Sequence, residues 1–215
     1  MRPLTIAHRA GNDLESLRTA VESGVDVVEA DVHDHRGRLE VRHLKTMGPL
    51  PYLWDRWELV PAAAPRLELA AVLSAVRPGT LFMLDLKGRG SGVGAAVATA
   101  VHELVPGHDV IVCSRYWPAV EAAAGALDYV RPVLSARTRL ELARLRRHVP
   151  KRRPYGVSVH RSLLTAPLVD ELHASVEVVM TWPVNTPSVL DEVLQLGTSG
   201  VISDEPEILV DLMSR

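Results

Sequence analysis

Charged residues stand at the ends of three short, strongly apolar segments of the sequence. They are His8, Arg9, Glu29, Asp31, Asp85 and Lys87. Apolar segments of this kind are buried strands, and an unpaired ion beside them costs several kcal/mol or shifts its pKa until it is neutral. A bound metal ion and an anionic substrate would compensate all of these charges, so the residue types predict a site for both.

Three of these residues are carboxylates that can converge on one ion. Residues two apart in a strand point to the same side, so Glu29 and Asp31 share one face, and Asp85 shares a face with Lys87 on the next core strand. Carboxylate oxygens suit Mg²⁺ or Ca²⁺, and the absence of a compact cluster of histidine and cysteine argues against a structural zinc. The sequence therefore predicts a divalent metal, Mg²⁺ or Ca²⁺. His33 is in phase with the first pair and can add a ligand, although a loop or hydrogen-bonding role is favoured for it.

Two histidines and two cations of the sequence suit phosphate chemistry. His8 and His43 are candidates for a general acid and a general base, because imidazole changes its charge near neutral pH. Arg9 and Lys87 supply fixed positive charge to a phosphoryl group whose oxygens gain charge in the transition state. The sequence has no Gly-x-Ser-x-Gly elbow and no P-loop, so serine hydrolases and NTPases are not indicated. The alternative is that the charges form structural salt bridges, such as one between Asp85 and Lys87.

Short runs rich in valine, isoleucine and leucine alternate with longer segments of helical period. The predicted strands span residues 4–8, 25–32, 81–87, 109–114, 129–135, 156–160, 176–184 and 200–203. The predicted helices span residues 14–23, 66–76, 92–104, 117–126, 138–148, 166–174, 187–196 and 206–214. Eight consecutive units of this kind predict a TIM barrel of the α/β class, whose strand ends carry catalytic residues. A doubly wound open sheet is the alternative, but no glycine-rich phosphate turn follows the first strand.

Two stretches interrupt this alternation. A turn at residues 34–38 and an extended segment at 39–43 carry His43 back towards the mouth of the barrel. Residues 45–65 contain four prolines and are predicted to form an insertion or a lid. The large apolar side chains of this insertion either anchor it or form a lip for an acyl chain. They are Leu50, Tyr52, Trp54 and Trp57.

The composition indicates one domain over residues 1–215. It also indicates that any binding of anions must come from a local site. The chain has 215 residues, 47% of them hydrophobic, which is enough for a full core. The formal net charge of −2 provides no general attraction for nucleic acid or for an anionic membrane. The one cysteine, Cys113, excludes an intramolecular disulfide and is expected in a core strand. No apolar run is long enough to span a bilayer, and we expect a cytoplasmic protein.

The order and spacing of these motifs resemble the glycerophosphodiester phosphodiesterase family over nearly the whole chain. The family's His-Arg-Gly, Glu-x-Asp-Val and Glu-x-Lys motifs correspond to His8-Arg9-Ala10, Glu29-Ala30-Asp31-Val32 and Asp85-Leu86-Lys87. Its Trp-Thr-Val-Asn strand and its Gly-x-x-Thr-Asp-x-Pro ending correspond to Trp182-Pro183-Val184-Asn185 and Gly200-Val201-Ile202-Ser203-Asp204-Glu205-Pro206.

The resemblance implies a metal-dependent TIM barrel that hydrolyses small glycerophosphodiesters to glycerol 3-phosphate and an alcohol. The implied metal ligands are Glu29, Asp31 and Asp85. The implied acid/base pair is His8 and His43, and the implied phosphate contacts are Arg9 and Lys87. Trp182 either contacts the substrate or packs as a core residue at the top of the barrel. In the family, a neighbouring glycerol hydroxyl attacks phosphorus, and the cyclic phosphate is then hydrolysed.

Two departures from the family's motifs lie within the predicted site. Asp85 replaces a longer glutamate, which sets its carboxylate back by about one methylene and can lengthen a metal bond. Leu44 replaces an acid beside His43 and removes a possible orienting partner. Three alternatives therefore stay open: a phosphodiesterase acting on lysophospholipids or another diester, a barrel that binds phosphate without catalysis, and a phosphodiesterase that needs no metal.

Overall fold

Eight parallel strands close into a barrel in the part of the chain that the computed structural model describes, namely residues 2–55, 58–75, 79–88, 90 and 92–215. The strands are β1 (Leu4–Ala7), β2 (Val27–His35), β3 (Leu81–Lys87), β4 (Val110–Ser114), β5 (Val130–Ala136), β6 (Gly156–His160), β7 (Val178–Trp182) and β8 (Gly200–Ser203). Each strand pairs with the next, and β1 completes the ring by pairing with both β2 and β8. The predicted TIM barrel of the α/β class is confirmed.

A helix separates each barrel strand from the next, and another follows the last strand. The helices are α1 (Leu14–Ser23), α2 (Leu69–Ser74), α3 (Gly92–Leu104), α4 (Trp117–Ala126), α5 (Arg139–Arg152), α6 (Ala166–His173), α7 (Pro187–Gln195) and α8 (Pro206–Ser214). Several begin with the capping chemistry visible in the sequence. Asp13 accepts hydrogen bonds from the backbone at the start of α1, and Thr138 and Glu141 form a capping box on α5. None of the helices in the described residues is long and apolar enough to cross a membrane.

The structure shifts some of the predicted boundaries. β2 continues three residues beyond its predicted end, because an antiparallel return strand, Arg38–Val41, pairs with its last residues. The helix predicted at 66–76 begins only at Leu69, since the two residues before it pair with the return strand. This pairing overrides their helical pattern. The predicted end of that helix, Val76, lies outside the described residues.

Buried side chains form an inner and an outer layer of the core. The inner layer, inside the barrel, is Ile6, Val27, Met83, Ile111, Cys113, Val133, Val178, Met180 and Ile202. The outer layer fills the space between the strands and the surrounding helices. Cys113 is therefore the core cysteine that the sequence predicts, and burial raises the pKa of its thiol. A filled interior confines polar chemistry to the ends of the barrel.

The insertion predicted at residues 45–65 contains a small antiparallel sheet, called here the insertion sheet. Its strands are Lys45–Thr46, Tyr52–Asp55 and Glu58–Pro61. Along the middle strand, Leu53 is buried, whereas Tyr52 and Trp54 are exposed. The insertion sheet therefore packs through one face and presents aromatic side chains on the other. Trp57 of the predicted lip lies outside the described residues.

Candidate active site

Glu29, Asp31 and Asp85 lie together on β2 and β3, towards the carboxyl end of the barrel. One carboxylate oxygen from each residue lies within 4.8 Å of the other two. Glu29 and Asp31 are buried, and Asp31 lies directly opposite Asp85 in the pairing of β2 with β3. The convergence expected from the two-residue period of the strands is therefore present, and the shorter side chain of Asp85 does not remove it from the group.

Lys87 binds two of these carboxylates. Its Nζ lies 2.6 Å from Oδ1 of Asp31, and it also contacts Oδ2 of Asp85. Burial alone would lower the pKa of this lysine, but the surrounding carboxylates raise it above its usual value. The salt bridge between Asp85 and Lys87 that the sequence offered as an alternative is thus formed. One ammonium thus contacts two of the three acids.

The cluster holds more acidic groups than Lys87 can neutralise. Burial, followed by the charge of Asp31, raises the pKa of Glu29 to about 8. Burial also raises the pKa of Asp85, although Lys87 opposes it. For Asp31, burial acts in the same direction, but Lys87 and a hydrogen bond from Asn12 bring its pKa below the ordinary value. A divalent cation held by carboxylate oxygens would supply the missing charge, so the donor set fits Mg²⁺ or Ca²⁺.

The loop between β1 and α1 holds the two buried carboxylates in place. The backbone N–H of Arg9 donates to Oε2 of Glu29 at 2.6 Å. Asn12 donates from Nδ2 to Oδ2 of Asp31 at 2.9 Å and accepts from the backbone N–H of Asp31 at 2.8 Å. The loop can approach β2 this closely because Gly11 has no side chain. A Cβ there would lie 2.8 Å from Cβ of Ala30.

His8 is paired with a carboxylate from the connection after β8. Its Nδ1 lies 2.7 Å from Oδ1 of Asp204, and Asn185 donates to the other oxygen of Asp204 at 2.9 Å. Burial lowers the pKa of His8, but the hydrogen bond to Asp204 and the charge of Glu29 outweigh this effect and raise it above the ordinary value. The same hydrogen bond is the main cause of the lowered pKa of Asp204. His8 therefore holds a proton more readily than a free imidazole does.

His43 is held between a cation and a carboxylate. Its Nε2 lies 2.7 Å from Nη2 of Arg9, and its Nδ1 lies 2.6 Å from Oδ2 of Asp55. A guanidinium can only donate, so Nε2 must offer its lone pair, and Nδ1 must carry the proton that is donated to Asp55. The return strand thus brings His43 to the carboxylate end of the barrel, as predicted. Its partners select the tautomer that a general base requires.

Two other candidates from the sequence lie outside this network. Trp182 ends β7, where its ring meets that of His160 edge to face with centroids 5.0 Å apart, and it packs on the inner layer of the core. His33 is not a member of the carboxylate cluster within the described residues. Burial, followed by the charge of Arg42, lowers the pKa of His33 to about 3, so its ring is neutral.

Four polar residues of the site carry no predicted role, although two of them, Asn185 and Asp204, belong to the motifs of the family resemblance. The four residues are Asn12, Asp55, Asn185 and Asp204. Asp204 directly follows a barrel strand, and this position is a signal from which it could have been predicted. Asp55 lies 12 residues beyond His43 in the insertion, where no spacing rule connects the two. Leu44 removes one possible orienting partner of His43, and Asp55 supplies a carboxylate in its place.

The fold and the site together define a class of protein. It is a TIM barrel whose strand ends carry a carboxylate cluster suited to a divalent metal, together with two histidines that are each bound to an acid. Residues 178–207 match the model of the glycerophosphoryl diester phosphodiesterase family, which confirms the resemblance seen in the motifs. No curated protein matches the chain.

Solved structures share the whole architecture. A phosphodiesterase from Oleispira antarctica, in complex with the product sn-glycerol-3-phosphate, is 18% identical with a TM-score of 0.76, covering 100% of this chain and 98% of that chain. A glycerophosphodiester phosphodiesterase from Thermotoga maritima is 19% identical with a TM-score of 0.73, covering 99% of each chain. Another from Parabacteroides distasonis is 20% identical with a TM-score of 0.71, covering 100% of this chain and 99% of that chain. At these identities the likeness establishes the fold.

Proposed function

We propose that residues 1–215 form a metal-dependent glycerophosphodiester phosphodiesterase domain. The enzyme hydrolyses small glycerophosphodiesters to glycerol 3-phosphate and an alcohol. The observation that carries this proposal is that each histidine is paired with a carboxylate beside the cluster of Glu29, Asp31 and Asp85. Cleavage of a phosphodiester needs one group that takes a proton from the nucleophile and one that gives a proton to the leaving group.

The comparisons support this substrate class. The Oleispira antarctica phosphodiesterase binds sn-glycerol-3-phosphate as its product, and its barrel aligns with this chain over the full length. The family model that matches residues 178–207 covers Asp204, which binds His8, and Asn185, which binds Asp204. Both observations favour a substrate that contains a glycerol phosphate group.

Glu29, Asp31 and Asp85 would hold the metal ion. Bound there, Mg²⁺ or Ca²⁺ would neutralise charge on the phosphate oxygens and favour ionisation of the attacking hydroxyl group. Lys87 keeps two of these carboxylates together, and its side chain is 29% exposed. The ammonium is therefore also accessible to a phosphate oxygen.

His43 acts as the general base. In the tautomer that Asp55 and Arg9 select, Nε2 carries the lone pair, which accepts from Arg9 in this structure. When the guanidinium of Arg9 turns to the phosphate, this lone pair can take the proton of the glycerol hydroxyl that attacks phosphorus. Arg9 lies beside that nitrogen, and its side chain is 39% exposed. Its guanidinium would contact the phosphate.

His8 acts as the general acid. Its raised pKa favours the protonated ring, and Nδ1 is bound by Asp204, so Nε2–H is the donor to the departing alcohol. Hydrolysis of the cyclic phosphate then uses the same two groups in the reverse direction, with water as the nucleophile. Trp182, half-buried at the end of β7, would contact the glycerol or the headgroup.

A second candidate function has one observation in its favour. Leu50, Tyr52, Trp54 and Leu59 of the insertion are all exposed. Such a surface suits the acyl chain of a lysophospholipid, so a lysophospholipase D-like activity at the same site is the alternative. Vesicles or micelles of lysophosphatidylcholine, assayed beside glycerophosphocholine, separate the two substrates.

The decisive experiment measures hydrolysis of glycerophosphocholine and glycerophosphoethanolamine by the purified protein. The assay runs with EDTA, and then with Mg²⁺ or Ca²⁺ restored. His8→Ala and His43→Ala test the acid/base pair. His102→Ala is the matched control, because His102 is exposed on α3 and bonds only to Tyr129 among its described partners.

Activity that chelation removes, a divalent ion restores and either site substitution abolishes is the expected result. No turnover of these or of a generic phosphodiester under any metal would overturn the proposal and favour a phosphate-binding barrel. Activity that survives chelation would instead point to a phosphodiesterase that uses only Arg9, Lys87 and the histidines.

A further inference from the structure

Asp55 lies on the insertion sheet, outside the barrel, yet it binds the ring of His43. Its Oδ2 is 2.6 Å from Nδ1 of His43. We propose that Asp55 is the positioning residue of His43 and that the insertion sheet therefore supplies part of the catalytic apparatus. This inference rests on the proposed function for its kinetic consequence. The contact itself does not depend on that function.

The backbone around His43 is fixed independently of Asp55. The backbone N–H of Arg42 donates to the carbonyl of Asp31 at 3.0 Å. The buried Arg42 side chain donates to Oε2 of Glu40 at 2.7 Å and also contacts the carbonyl of Leu44. These bonds hold the chain on both sides of His43. What they leave undetermined is the rotation and the tautomer of its ring.

The alternation of the Tyr52–Asp55 strand brings Asp55 to this ring. Leu53 is 1% exposed and points to the buried side of the insertion sheet, and Asp55 shares that side because it is two residues further on. Leu44, the next residue along the chain, has an apolar side chain that cannot accept a hydrogen bond from the imidazole. The acid therefore comes from a separate strand.

The bond from Nδ1–H to Asp55 has a definite chemical consequence. It fixes the proton on Nδ1, so the lone pair remains on Nε2, which faces Arg9. Without an acceptor at Nδ1, the proton can move to Nε2, and the ring would then present an N–H to a guanidinium that can only donate. The base would be in the wrong tautomer and would also be free to rotate.

The test uses Asp55→Ala and Asp55→Glu, with Glu58→Gln as the matched control. Glu58 pairs with Asp55 in the insertion sheet and is exposed, so its substitution removes a charge from the same strands without touching His43. Two readouts are needed: kcat and KM for glycerophosphocholine, and the ¹⁵N chemical shifts of the His43 ring, which report its tautomer.

We expect Asp55→Ala to lower kcat by about 10²-fold or more, the range for loss of a general base, with KM within about threefold. The ring of His43 should lose the pure Nδ1–H signature. Asp55→Glu should keep that signature and recover part of kcat, and Glu58→Gln should behave as the unsubstituted protein.

An unchanged ring tautomer together with kcat within about threefold of the original in Asp55→Ala would overturn the inference. If the unsubstituted protein turns over no glycerophosphodiester, the proposed function fails, and the ¹⁵N shifts alone then decide whether Asp55 sets the tautomer. If Asp55→Ala does not fold, Asp55→Glu carries the test: loss of the Nδ1–H signature in that folded variant contradicts the inference.

Discussion

Asp31 and Asp85 face each other across adjacent parallel strands, and the ammonium of Lys87 contacts both. Like charges at this separation destabilise each other unless a cation lies between them. Lys87 provides one positive charge, and Glu29 adds a third acid within the same 4.8 Å group. Because the pairing of β2 with β3 itself brings these acids together, the folded barrel needs a further cation at this position.

A divalent ion should stabilise the folded protein. At a concentration 100 times its Kd, an ion bound only by the folded state adds about 2.7 kcal/mol to the free energy of unfolding. We expect Mg²⁺ or Ca²⁺ to raise the melting temperature of protein first treated with EDTA. Asp31→Asn should abolish this rise. Asp170→Asn, an exposed change on α6, should retain it. Equal shifts in both variants would place the ion elsewhere.

The pH dependence of turnover should reflect the pairing of His8 with Asp204. The hydrogen bond and the charge of Asp204 help to raise the pKa of His8, so Asp204→Asn lowers it. A general acid must be protonated, and a lower pKa means that the proton is lost at lower pH. The alkaline limb of the kcat profile should therefore move to lower pH in this variant. Glu205→Gln, an exposed neighbour, should leave the limb in place. An unmoved limb in Asp204→Asn would remove His8 from the role of acid.

Gly11 should not tolerate a side chain. A Cβ at this position would lie 2.8 Å from Cβ of Ala30 and 3.0 Å from the carbonyl of Glu29, so Gly11→Ala must displace the loop. Overpacking of this kind costs about 1–3 kcal/mol, and a displacement near 1 Å in the site can cost about 10²-fold in rate. We expect losses in both urea stability and kcat/KM. Ala10→Gly, which restores the family's residue next to it, should lose far less. Comparable behaviour of the two variants would contradict the close approach.

The cap of α1 should contribute measurably to stability. Asp13 accepts hydrogen bonds from the backbone N–H groups of Glu15 at 3.1 Å and Ser16 at 2.8 Å. We expect Asp13→Ala to lower the free energy of unfolding by about 1 kcal/mol at pH 7. Glu22→Ala, exposed on the same helix, should change it by less than about 0.5 kcal/mol. Urea denaturation measures both.

The same contribution should fade in acid. The hydrogen bonds to Ser16 lower the pKa of Asp13 below its ordinary 3.8. A carboxylate whose pKa falls on folding stabilises the protein above the pKa of the unfolded chain and loses this effect as the pH falls through the folded value. The difference between Asp13→Ala and the original protein should therefore shrink below about pH 4. A difference that is constant with pH would argue against a charged cap.

Local patterns were sufficient to predict the barrel and the carboxylate cluster. Each strand is a short apolar run, each helix has its own period and cap, and the two-residue period alone aligns Glu29 with Asp31. Once β2 and β3 are adjacent, Asp85 follows. These relationships are contained in segments of a few residues, so they can be read without knowledge of the tertiary structure.

The parts of the site that could not be predicted from the sequence depend on contacts between distant segments. Asp55 reaches His43 only because the insertion folds into a sheet, and the apolar and proline residues of the insertion do not specify its register. Asn12 reaches Asp31 only because Gly11 lets the loop approach β2. The strand pairing of Leu67 and Glu68, where a helix was predicted, has the same origin in a neighbouring strand.

The two faces of the middle strand of the insertion sheet determine different properties, the character of the exposed surface and the orientation of His43. Tyr52 and Trp54 point outwards, whereas Leu53 and Asp55 point inwards. Substitutions at the outward positions can alter which molecules the surface binds while His43 keeps its acceptor. Insertion of a single residue before Trp54 would do the opposite, because a shift by one exchanges the two faces of a strand. An indole would then face the imidazole, and the carboxylate would point into water. Along this strand, substitution at the outward positions is tolerable and variation in length is not.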